Sequence, residues 1–70
     1  MSRAMNARMP EANVRALCKK AGVEISAIEV LPSGGTHLVC TTGEGAEIMR
    51  QKLRTHLIEG AVKRYPYYRA

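Results

Sequence analysis

Cys18, His37, Cys40 and His56 are the residues of this chain whose side chains most readily do chemistry. Four such groups suffice for one tetrahedral zinc ion. Structural zinc sites usually hold their ligands as Cys-x-x-Cys and His-x-x-x-His pairs, because one short turn then presents both members at a single point. Neither pattern occurs here, and both cysteines fall in apolar phases, so no metal is expected. Nucleophilic catalysis needs an exposed thiol activated by a base, and the base needs an orienting partner. His37 and Cys40 point to opposite faces if their segment is extended. No Asp exists anywhere in the sequence to orient a base. Gly43-Glu44-Gly45 precedes a helix, but a phosphate loop of the Walker type requires a following Lys, and Glu44 and Glu47 would repel a phosphate. The expectation is a protein that is not an enzyme and has no cofactor.

The stretch Lys63-Arg64-Tyr65-Pro66-Tyr67-Tyr68-Arg69 is different in kind. It contains all three tyrosines of a protein that has no Phe or Trp, interleaved with cations. Single-stranded nucleic-acid binders combine these two elements, cations on phosphates and ring faces on bases. The alternative is an edge strand and tail whose tyrosines cover the rim of the core, with their hydroxyls in water. Arg50, Lys52 and Arg54 lie at the end of a helical stretch, where they either reach phosphates or form a solvated face that suits the helix dipole.

The charge distribution frames that choice. Residues 1–22 hold five cations and one acid; residues 23–49 hold four Glu and no Lys or Arg; residues 50–70 hold six cations and one acid. Two basic segments flank an acidic middle, and the net charge is +5. The pattern suits a basic face for a polyanion, or internal charge complementation with solubility. Seventy residues make one domain with a small core, built here from Val, Ile, Leu, Met and Ala. No apolar run is long enough for a membrane span, and the first residues lack a signal peptide's apolar stretch. Two cysteines, too few for a secreted scaffold of this size, are expected as free thiols in a cytoplasmic protein.

Those residues must be positioned by a few short elements. Residues 1–9 show no period and are expected to fray. Pro10, the stripe Val14, Leu17, Cys18 and Ala21, and then Gly22 predict a helix over 10–21. Residues 23–31 are β-branched; Ile28 and Val30 are expected inward and Glu29 in water, with Val23 and Ile25 out of phase. Pro32-Ser33-Gly34-Gly35 predicts a hairpin leading to a strand over 36–41, with Leu38 and Cys40 inward. Thr41 or Thr42 caps a second helix, Thr41 with Glu44 at capping-box spacing. Its stripe is Ala46, Met49, Leu53 and Leu57, and Gly60 follows its end. Residues 61–65 predict a third strand, and 66–70 a tail.

The expected fold class is therefore α+β in the order α-β-β-α-β, a three-stranded sheet with two helices on one face, ferredoxin-like but lacking one strand. Residues 1–9 would precede a single domain over 10–65. The uncovered sheet face would expose Ala27, Glu29, Leu31, His37, Val39, Thr41, Lys63 and Tyr65. Such a face suits an accessory, non-catalytic module that binds single-stranded nucleic acid. Lys63, Arg64, Arg50 and Arg54 would then sit on phosphates, with Tyr65, Tyr67 and His37 stacking. The other reading is a protein-interaction or homodimerisation module that uses the same face or an edge strand.

The run Ile28-Glu29-Val30-Leu31-Pro32-Ser33-Gly34-Gly35-Thr36-His37-Leu38, followed by Gly43-Glu44-Gly45-Ala46-Glu47, resembles a group of short uncharacterised proteins of rhizobia-like bacteria, some from prophage regions. The shared pattern extends through Leu57-Ile58-Glu59-Gly60 to Lys63-Arg64. The resemblance implies no activity, cofactor or functional residue.

Overall fold

The computed structural model describes residues 2–60. Within them the chain runs β1 (Ala4–Ala7), α1 (Glu11–Ala21), β2 (Ile25–Val30), β3 (Thr36–Cys40), α2 (Gly43–Lys52) and a 3-10 turn (Arg54–His56). The sheet order is β1-β3-β2, and β3 pairs antiparallel with both neighbours. No helix among the described residues is long and apolar enough to cross a membrane.

Local chemistry accounts for the helix limits. Pro10 stands just before α1 in an extended conformation, and Gly22 ends the helix with φ 71. There the Gly22 and Val23 N–H groups donate to the Lys19 and Cys18 carbonyls, the paired bonds of a Schellman closure. Thr42 caps α2 by accepting from the Gly45 N–H at 2.9 Å. Thr42 rather than Thr41 thus makes the cap, and the capping box with Glu44 does not form. Gly45 suits that third position because a Cβ there would stand 3.0 Å from the Val23 side chain.

Both helices pack on one face of the sheet. Val14 and Cys18 from α1, and Ala46, Met49 and Leu53 from α2 and its end, share one buried cluster with Met5, Ala7, Ile28, Leu38 and Cys40. The α+β class, the single helical layer and the inward Leu38 and Cys40 match the expectation. Both cysteines are free and buried.

The element order does not match: among the described residues it is β-α-β-β-α. Residues 1–9, expected to fray, contain β1, which supplies the strand thought to be missing. Four residues of Met, Ala and Asn carry little β-propensity, so no local signal marks them. They are held instead by β3, with Met5 opposite Leu38 and Ala7 opposite Thr36. The expected third strand, residues 61–65, and the tail 66–70 lie outside the described residues.

Two further differences have packing causes. α2 stops at Lys52, and Leu57, expected on its buried stripe, bridges β1 at Ala7 instead. In β2 the register shifts between Ile25 and Ala27. That bulge lets Ile25 and Ile28 both face the helices although they are three residues apart. It accounts for the phase break read from the sequence. Past Ile28 the polarity expectation reverses. Glu29 is 4% exposed, whereas Val30, at the end of an outer strand, is 42% exposed.

The hairpin is pinned to β1 through Gly35. Gly34 and Gly35 have φ 93 and φ 89, but only at Gly35 would a Cβ meet backbone, the Ala7 carbonyl oxygen at 2.5 Å. Gly34→Ala is expected to cost about 1 kcal/mol for its left-handed backbone. Gly35→Ala should cost about 2–4 kcal/mol, because β1 must also move away. Urea unfolding of the two variants measures the difference; equal losses would show that β1 does not depend on this contact.

Candidate nucleic-acid interface

The chain leaves α2 through Leu53, which is fully buried, and tightens into the 3-10 turn. The His56 N–H closes that turn on the Leu53 carbonyl at 2.7 Å. The backbone then extends and docks on the outer edge of β1. The Arg8 N–H donates to the His56 carbonyl at 2.7 Å, and the Ile58 N–H donates to the Asn6 carbonyl at 2.9 Å. These bonds bring Arg8, from the N-terminal basic segment, beside Arg54 and His56, from the C-terminal one. Lys52 precedes the turn by two residues. Arg8, Lys52, Arg54 and His56 are all exposed. Among the described residues, Arg8, Lys52 and Arg54 make no side-chain hydrogen bond or ion pair. No acid lies between Glu47 and Glu59 to neutralise this end. The arrangement is a cationic surface able to hold phosphate oxygens by charge-assisted hydrogen bonds.

Glu24 and Glu44 lie at the other end of the sheet, where Lys19 and Lys20 close α1. A shallow cleft of about 290 Å³ lies between the end of α1 and the start of α2, lined by Gly22, Val23, Glu24, Thr42, Glu44, Gly45 and Ile48. Two glutamates on its walls disfavour an anion there. The charge separation seen along the sequence is thus partly preserved in space.

The residues expected to bind nucleic acid do not all come together. Arg54 belongs to the cationic end. Arg50 is half-buried and engaged, ion-paired with Glu47 at 3.4 Å and hydrogen-bonded to the Ser2 carbonyl, so it acts as a clasp on the N-terminal residues. His37 lies on the sheet face opposite the helices and is only 8% exposed, which leaves no ring face for a base. Its Nδ1 donates to the Asn6 Oδ1 at 2.7 Å, since an amide oxygen only accepts. Glu29 is its cross-strand neighbour on the other side. Asn6, His37 and Glu29 form a polar row across all three strands. Leu31 is also buried, and Ala27, Val39 and Thr41 are half-buried, so the exposed apolar platform expected on this face is absent from its described residues. Lys63, Arg64, Tyr65 and Tyr67 lie outside the described residues.

Arg8 and His56 were not among the sequence candidates for phosphate contact, whereas Lys52 was, beside Arg50 and Arg54. The signal for His56 was the acid-free run over 48–58. Arg8 had no signal, because its place depends on a strand that the sequence does not announce. Among the described residues no three His, Cys or Glu side chains gather as a metal site. No family model, curated protein or solved structure matches the chain.

The two thiols have shifted ionisation. Burial raises the Cys18 thiol above its ordinary value, nearby Cys40 adds to the rise, and Arg15 opposes it. Burial likewise raises Cys40, with Arg50 opposing. Both therefore stay protonated in the folded protein when the unfolded chain begins to lose their protons, near pH 9. Stability is expected to be insensitive to these groups below that pH and to fall above it, because only the unfolded state gains by ionising. Unfolding free energies measured from pH 7.5 to 10.5 should decline more steeply for the native chain than for C18A/C40A. Parallel curves would remove the thiols from the pH dependence.

Proposed function

We propose that this protein is a small, non-catalytic module that binds single-stranded nucleic acid through its phosphates. The observation that supports it is the docking of the 3-10 turn on β1, which gathers Arg8, Lys52 and Arg54, unpaired among the described residues, at one end of the sheet. Lys52 and Arg54 are retained from the sequence candidates, and Arg8 joins them. Lys63 and Arg64 follow the docked segment in sequence and add positive charge, and Tyr65 and Tyr67 supply rings for stacking. Arg50 contributes field rather than contact, and His37 belongs to the fold of the sheet. A cytoplasmic, reducing setting suits two buried free thiols.

Phosphate contacts release condensed counterions, so affinity should fall with salt. For three to five contacts on a single strand, log K against log salt should have a slope of about −2 to −3.5. Anisotropy titrations with a labelled 20-nucleotide single strand at 50–300 mM salt measure it. R8E/R54E should weaken binding at 50 mM salt by at least tenfold and flatten the slope by about 1.4. The native chain showing no binding at tens of micromolar in low salt would overturn the proposal, as would R8E/R54E binding like the native chain.

A further inference from the structure

The two edges of this sheet are treated differently. The outer edge of β1 is occupied by residues 57 and 58. The outer edge of β2 has no backbone partner among the described residues. Natural edges are usually blocked by Lys, Pro, an inward charge or a bulge. Ile25–Val30 contains no Lys, Arg or Pro, and its one charge, Glu29, is buried on the face away from the helices. The bulge at Ser26 blocks only the start, which leaves Ala27 to Val30 regular, with Val30 exposed at the end.

We propose that a second copy of this chain pairs with this edge, β2 against β2, antiparallel about a two-fold axis. A peptide would also find free backbone groups here, but two features favour a copy. The first is where the charge is not: Arg8, Lys52 and Arg54 lie on the β1 side, two strands and about 10 Å of sheet away. Two chains of net charge +5 can therefore meet through β2 without bringing those cations together. The second is complementarity along α1, the helix that packs on β2. Antiparallel strands place the two α1 helices side by side on the same face, running in opposite directions. α1 has Glu11 in its first turn and Lys19 and Lys20 in its last. Each Glu11 thus comes to the end of the dimer that carries the partner's Lys19 and Lys20.

Sedimentation equilibrium of the full chain from 10 to 500 µM tests this. The expected result is a monomer–dimer equilibrium. V30K, which changes an exposed side chain, should shift it at least tenfold toward monomer with unchanged circular dichroism. E11K and K19E/K20E should each weaken self-association, and an equimolar mixture of the two should restore a dimer, because opposite charges then meet at both ends. A native chain that stays monomeric at 500 µM, native-like dimerisation of V30K, or a mixture no tighter than its components would each overturn the arrangement. V30K should still bind the oligonucleotide, so failure here is separable from failure of the phosphate-binding reading.

Discussion

β3 is the element on which the rest of the structure depends. It is the strand that pairs with both of the others, and its alternating residues serve two different surfaces. Leu38 and Cys40 form the floor on which both helices rest, while His37 on the reverse joins Asn6 and Glu29 across the neighbouring strands. A one-residue slip of β3 would bring His37 under the helices and expel Leu38. Thr36 adds a lock at the hairpin end, where its buried hydroxyl donates to the Met9 carbonyl at 2.7 Å. In a chain this small, such polar contacts fix the register that a larger core would fix by packing alone.

The parts of the fold legible in the sequence were those with a local cause. A proline start, an apolar stripe and a closing glycine mark α1, because each acts within its own helix. The hairpin is equally local, and its glycines adopt the positive φ their positions require. β1 was not legible, since its evidence lies thirty residues away in the free edge of β3. The early end of α2 was missed for a related reason. Leu57 continues the helical stripe by spacing, but β1 offers it an edge, and backbone pairing there competes with another helical turn.

The candidate site was legible in charge and not in geometry. Two basic segments were visible in the sequence, but their union at Arg8 and Arg54 follows from β1 and from the turn after α2. His37 illustrates the opposite error. Alternation correctly put it on the face away from the helices, and exposure was then expected because no helix was expected over that face. His37 bonds to Asn6 and stands opposite Glu29, and His37 and Glu29 are both buried, so a strand face without a helix over it did not establish a wet surface.

The same topology that hides β1 from sequence inspection also separates two surfaces. Placing β3 between β1 and β2 sends the edge that receives the 3-10 turn to one side of the sheet, and to the other the edge of β2, which has no backbone partner among the described residues. Cations gather on the first because residues following each of two elements, β1 and α2, end there. β2 itself carries no cation because it comes from the middle of the chain, where no Lys or Arg occurs between residues 23 and 49, and the cations on its side are those of α1. An acidic middle flanked by basic ends thus becomes, in space, a difference in charge between the two outer strands. The proposed polyanion contact and the proposed pairing with a like chain would therefore use different edges, and neither would obstruct the other.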